Sequence, residues 1–228
     1  MAVSRAFAFS RSVLNSSTAT TVLVLIDVQR AEVLAGDHGI PVMAGGAERH
    51  ERIRALLALA RERGVPAVFV QEVHKPSLID FGRELDGVEG VHCLEGDPAT
   101  ELAEGLEPRA EEYLIRKRRY SAFFATELDL VLSSYGAQTL ILVGALTDVC
   151  VHYTFVDAHQ HDYRCLLVTD CVGGSSAQAH DAALRAMAYL QRDCLVCSAE
   201  VRAMLDAARA STECTATPSS AITAEVTA

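Results

Sequence analysis

The chain lacks any apolar run of the ~20 residues that a membrane-spanning helix needs. Its longest such runs, Val22 to Ile26 and Leu140 to Val143, are strand-sized. It also lacks an extended basic stretch: 20 Lys and Arg stand against 30 Asp and Glu, a formal net charge of −10. Nucleic acid is therefore not expected as a partner, because phosphate binding needs concentrated positive charge. No internal repeat is present. No G-x-G-x-x-G follows the first apolar run, where "IDVQRAEV" holds no glycine at all, which argues against a dinucleotide oxidoreductase. A disulfide framework is missing too, since the seven cysteines are odd in number and follow no secretory signal. A reducing, cytoplasmic setting is the expectation.

What is present is an ordinary globular composition of 228 residues, half of them hydrophobic, enough for one sizeable domain. Residues 1–20 carry Arg and Ser but no acid and read as a polar arm; organelle transit peptides share that composition, so import through the arm stays open. Residues 21–210 read as the single domain and 211–228, small and polar, as a flexible tail.

Within the domain, strand and helix signals alternate. "TVLVLIDVQ" is too densely aliphatic for a half-exposed strand and predicts a central strand of a parallel sheet. "GGAERHERIRALLALARERG" predicts an amphipathic helix stopped by Gly64. Further strands are expected in "VPAVFVQE", "EEYLIRK", "AQTLILVG", "YRCLLVTD" and a short one in "CLVC", with helices from "TELDLVLSSYG", from about Asp148 to His161, from "AQAHDAALRAMAYLQRD" and at the end. Between His74 and Pro108 the pattern weakens into loops, the kind of segment that covers a site. The fold class is α/β, a mostly parallel sheet of about six strands with helices on both faces.

Ligands of such sheets bind at the carboxyl ends of the strands. Asp27, Lys117 and Cys150 all fall there, giving one acid, one amine and one thiol at a single edge. A thiol at a helix N-terminus beside an ammonium is expected to ionise more readily than a free one, with Asp27 as proton acceptor. A small buried hydrophobe is the other reading of Cys150.

"LIDVQ", "KRRYSAFFATELDLVL" and "LILVGALTDVCVHYTFVDAHQHDY" together resemble the isochorismatase-like family of cysteine hydrolases in motif order and spacing, from about Thr21 to Arg209. The resemblance implies an isochorismatase-like fold and an Asp27, Lys117, Cys150 triad with Cys150 as nucleophile. It also implies a cis peptide between Leu146 and Thr147, and an oxyanion hole from the N–H groups of Leu146 and Cys150. Lys117 is assigned because Tyr120 and Ser121 follow at the family distance; Arg116, Arg118 and Arg119 are expected as surface charge or subunit contacts.

"VQEVHKP" is similar to a stretch in members acting on ureido and carbamoyl compounds, so Glu72 and His74, with Tyr120 and Phe123, are the expected substrate-binding residues. Nicotinamidase-like members carry an Asp-x-His and a second His that bind metal; that spacing is not found here, and no metal and no cofactor is expected. Arg30 and Glu32 depart from the family pattern after the first strand and put an apolar pocket wall there in doubt. "CLVC" is expected as core, and His159 and His161 as surface or subunit contacts.

The reading is a cysteine amidohydrolase cleaving a small amide, ureido or carbamoyl compound through an acyl-enzyme, working as a homo-oligomer. Enol-ether hydrolysis of the isochorismatase type, a nicotinamidase-like amidase and a non-catalytic binding protein on the same fold are the alternatives.

Overall fold

The computed structural model describes residues 20–215, with side chains through 208. The expected arm and the end of the expected tail lie outside the described residues. Six strands, β1 (Thr20–Ile26), β2 (Ala67–Glu72), β3 (Tyr113–Lys117), β4 (Ala137–Ala145), β5 (Arg164–Gly173) and β6 (Leu195–Val196), form one sheet in the order β3-β2-β1-β4-β5-β6. Every pairing is parallel. Five helices connect or flank them: α1 (Gly46–Glu62), α2 (Leu128–Ser134), α3 (Cys150–Gln160), α4 (Ala177–Leu190) and α5 (Ser198–Thr215). The last helix runs past Ser211, into the segment expected as tail.

Alternation along the strands explains the three layers. Val22, Val24 and Ile26 of β1 pack with Leu128 and Leu132 of α2, Val151 and Phe155 of α3 and Met187 of α4. The intervening Leu23 and Leu25 pack with Ile53, Leu56 and Leu57 of α1 and Val201 and Leu205 of α5. A period of two puts successive side chains on opposite faces, and both faces are covered, so β1 must be apolar throughout. The spacing Ile53, Leu56, Leu57, Ala60 is one face of α1, and each such buried side chain contributes about 1.5–3 kcal/mol.

The chain reverses its build direction between β1 and β4, where a parallel sheet opens a crevice at its carboxyl edge. Their approach is close there: a Cβ on Gly144 (φ +118°) would lie 1.8 Å from the carbonyl oxygen of Ile26, so glycine is required. β1 is shorter than expected. It stops at Ile26, and Asp27 turns away with φ 50°. The segment from β2 to β3 carries one short 3₁₀ turn, Glu84–Asp86, and two isolated bridges, His74–Leu94 within it and Leu102 to Gln29.

Candidate active site

Three strand ends converge at the crevice. Asp27 follows β1, Lys117 closes β3, and Cys150 opens α3 after β4. The Lys117 side chain crosses beneath β2 to bring its Nζ 2.8 Å from Asp27 Oδ2 and 3.3 Å from Cys150 Sγ. Lys117 has no solvent exposure. Glu72, at the end of β2, also pairs with Lys117 and accepts from the Cys150 thiol at 3.4 Å, while its own N–H donates to Asp27 Oδ1 at 2.8 Å. Gln29 braces the arrangement by donating to the carbonyl oxygens of Glu72 (3.0 Å) and Thr100 (2.7 Å).

Burial and the Lys117 charge pull the ionisable groups in opposite directions. Burial pushes the Asp27 carboxyl up to about 6, against the pull of Lys117. Burial would raise Glu72 as well, but Lys117 with His74 and His92 holds it well below the usual carboxylate range. The Lys117 amine keeps its proton despite burial because Asp27, Cys150 and Glu72 surround it. The thiol departs from expectation. Burial pushes Cys150 well above its ordinary value, and the Lys117 ammonium only partly offsets this. Desolvation of the anion thus weighs more on this thiol than the charge beside it.

The turn before α3 leaves the N–H groups of Leu146 and Cys150 without a hydrogen-bond acceptor among the described residues, whereas Thr147 N–H donates to Gly173 and Val151 N–H to Leu146. The cis peptide lies between Ala145 and Leu146, one bond before the one implied by the family resemblance. It falls where β4 ends.

A cavity of about 580 Å³ opens above Cys150, lined by Asp27, Glu72 and Tyr120. Ile40, Val42, Leu146 and Val149 give it an apolar wall. Glu32 does line the cavity, but Arg49 and His50 (2.7 Å) neutralise it, and the wall comes instead from the loop before α1. Two of the expected substrate-binding residues sit elsewhere. His74 is fully buried behind Glu72, stacked 3.9 Å from the Phe81 ring, because β2 carries it inward. Phe123 stacks on His161 at 5.1 Å and packs on the core, away from the cavity lining. Arg118 pairs with Asp80 (2.7 Å) and Arg116 with Glu95 (3.4 Å), so these arginines pin the β2–β3 segment. Cys194 is buried and Cys197 half-buried, both as free thiols.

The β2–β3 segment supplies residues that the sequence reading passed over. His92 lines the cavity and contacts Glu72 Oε1 at 3.0 Å, and Glu84 Oε2 lies 3.3 Å from His74 Nε2. Glu72, His74, Glu84 and His92 are all buried, with one donor atom of each within 4.8 Å of the others. Neither oxygen of Glu84 has an aligned hydrogen-bond donor. Two imidazoles and two carboxylates are a donor set that fits a divalent transition metal. A second histidine, His92 of "GVHC" in the loop-rich stretch, thus joins this group in space, although no spacing in the sequence marks it.

Matches to known proteins give the family. The isochorismatase domain model matches residues 21–201. The chain belongs to the isochorismatase family. It is 34% identical to the maleamate amidohydrolase of Pseudomonas putida KT2440, over 64% of this chain and 70% of that protein. It is 29% identical to the ureidoacrylate amidohydrolase RutB of Serratia proteamaculans, over 72% and 74%. A solved isochorismatase family protein from Desulfovibrio vulgaris superposes with a TM-score of 0.71 at 29% identity, covering 82% of this chain and 99% of that one.

Proposed function

We propose that the protein is an amidohydrolase that cleaves a carbon–nitrogen bond of a small amide, ureido or carbamoyl compound through a covalent acyl-enzyme at Cys150. The observation that carries it is the buried Lys117 ammonium held between Asp27 (2.8 Å) and Cys150 (3.3 Å), both of which line the cavity. The relatives named for maleamate and ureidoacrylate hydrolysis support the reaction class.

Asp27, not Glu72, is the base. Glu72 is nearer in hydrogen-bond terms, but its depressed basicity makes it a poor proton acceptor, whereas Asp27 at about 6 is matched to neutral pH. The Cys150 proton passes to Asp27 as Sγ bonds to the substrate carbonyl carbon. The oxyanion that forms is received by the N–H groups of Leu146 and Cys150. Its collapse breaks the C–N bond, and the proton on Asp27 leaves with the departing ammonia or amine. Water, deprotonated by Asp27, then splits the thioester and returns the thiol. Lys117 opposes the developing thiolate charge and keeps Asp27 oriented. The scheme runs without metal or cofactor. A divalent cation held by Glu72, His74, Glu84 and His92 would supply Lewis-acid polarisation beside the carbonyl.

Free thiols at all six described cysteines support a cytoplasmic setting, and exposed Ile79, Val88, Phe124 and Tyr153 support assembly into a homo-oligomer. Among the described residues no helix is long and apolar enough to cross a membrane. The test of the activity is an ammonia-release screen over ureido acids, biuret-like compounds, nicotinamide and simple amides. Cys150→Ala is expected to lower turnover about 10⁴-fold or more with an unchanged circular dichroism spectrum. Near-normal turnover in that variant would overturn the mechanism.

A further inference from the structure

The cavity is acidic. Asp27, Glu32, Glu72 and Glu89 are among its lining residues, His92 is the one imidazole, and neither arginine nor lysine lines it. Three of the carboxylates are already matched. Asp27 and Glu72 share Lys117, and Glu32 is held by Arg49 and His50. Glu89 differs from them. It is only partly exposed, and it makes no hydrogen bond or ion pair among the described residues. His92, whose charge acts on Glu89, has both nitrogens engaged elsewhere, by the Gly90 carbonyl oxygen (2.7 Å) and Glu72 (3.0 Å). Burial pushes the Glu89 carboxyl upward, and the charge of His92, which makes no hydrogen bond to it, offsets this only in part.

A half-desolvated carboxylate on a reaction cavity, with no hydrogen-bond or ion-pair partner, has two consequences. It repels an anionic ligand, and it accepts hydrogen bonds from a donor that arrives with the ligand. Resting on the amidohydrolase reading, we infer that Glu89 is a specificity-determining residue that selects amide or ureido substrates whose far end is cationic or rich in N–H donors, and rejects those ending in a carboxylate. The net charge of −10 acts in the same direction on approach. Maleamate and ureidoacrylate, the compounds that name the relatives, each carry a carboxylate, and this cavity has no lining arginine or lysine to receive one. The chain would thus differ from those relatives in substrate charge while keeping their bond-breaking residues.

The experiment uses amides matched in length: 4-aminobutanamide (cationic), butanamide (neutral) and succinamate (anionic), with the corresponding ureas. The full chain and its Glu89→Gln and Glu89→Asp variants are compared. The wild type is expected to favour the cationic over the anionic member by about tenfold or more in kcat/KM, mostly through KM. Glu89→Gln should cut that ratio roughly tenfold while leaving butanamide within about twofold, and Glu89→Asp should retain most of it. A second readout needs no turnover: the rate at which iodoacetamide, relative to iodoacetate, alkylates Cys150, normalised to glutathione. That ratio should exceed unity in the wild type and fall in Glu89→Gln.

Preference for succinamate, or charge ratios unmoved by Glu89→Gln in either readout, overturns the role of Glu89. Hydrolysis that survives Cys150→Ala overturns the amidohydrolase mechanism instead. If none of the amides or ureas is cleaved, the alkylation ratio alone decides the Glu89 inference.

Discussion

Two buried charged clusters meet at Glu72, and they are built differently. Asp27, Lys117 and Cys150 stand at the ends of three regular elements whose positions the parallel ladder sets. His74, Glu84 and His92 hang on the loop-rich chain between β2 and β3, which is tied to itself through the His74–Leu94 bridge and to the turn after β1 through the Gln29–Leu102 bridge. The first cluster is compact around one ammonium. The second spreads two carboxylates and two imidazoles over ion pairs of 3.0 to 3.9 Å. The difference teaches that chemistry needing fixed geometry sits on strand ends, while the parts that shape and charge the cavity come from the loops, where sequence can vary without disturbing the sheet.

Removing the ion that both clusters share is the strongest way to break the comparison. Lys117→Met leaves Asp27 and Glu72 as buried carboxylates with no cation between them. It is expected to cost about 3–5 kcal/mol of stability and most of the activity. Urea denaturation alongside turnover measures both, and an unchanged midpoint would mean that Lys117 is not the shared counter-ion. Adding Asp27→Asn should restore part of the stability and none of the activity, because it removes one of the two orphaned charges.

The acid limb of the pH–rate profile sharpens the contrast at intermediate size. Asp27 must be ionised to accept the thiol proton, so kcat/KM should fall about tenfold per unit as pH drops below about 6 and level off above it. The apparent value belongs to the coupled site rather than to Asp27 alone. Stability bears on Asp27 with the opposite sign. Its folded value lies above the ordinary 3.8, so its ionisation between about 4 and 6 disfavours the folded state. Glu72 is depressed; its contribution is present above its ordinary 4.5 and is lost as pH falls below that. A limb near 6 with no parallel loss of near-UV circular dichroism therefore reports catalysis. A limb that tracks unfolding would remove Asp27 as its source.

The smallest expected effect concerns the loop cluster. Exhaustive dialysis against a strong chelator, followed by elemental analysis and assay, should leave turnover unchanged, because the thiol and two backbone N–H groups suffice for the proposed chemistry. Activity that disappears with a bound metal and returns with zinc, iron or manganese would instead give Glu72, His74, Glu84 and His92 a direct part in the reaction.

The strand-end cluster was legible because its signals are local. An aliphatic run ending in Asp, a basic strand ending in Lys, and a strand broken by glycine before Cys150 each mark an element boundary, and parallel strands bring their carboxyl ends to one edge. His74 and Phe123, expected at the substrate, lie off the cavity lining for the same locality. Both follow the right strands, but which way a side chain points once the strand has ended is set by its packing, against Phe81 for His74 and against His161 for Phe123. Glu84, Glu89 and His92 carried no usable signal, since Gly, Asp and Glu scattered through "GRELDGVEGVHC" have no periodicity to place them.

The sequence by itself determined the alternation of strands and helices, the parallel sheet, and the acid, amine and thiol at its functional edge, because period and turn chemistry are properties of neighbouring residues. Only the tertiary structure decided that burial pushes the Cys150 thiol and the Asp27 carboxyl upward while Lys117 and two histidines hold Glu72 down, and that Glu89 lines the cavity with no hydrogen-bond partner among the described residues. Those properties depend on desolvation and on charges tens of residues away in sequence, and they exist only once the chain has closed around them.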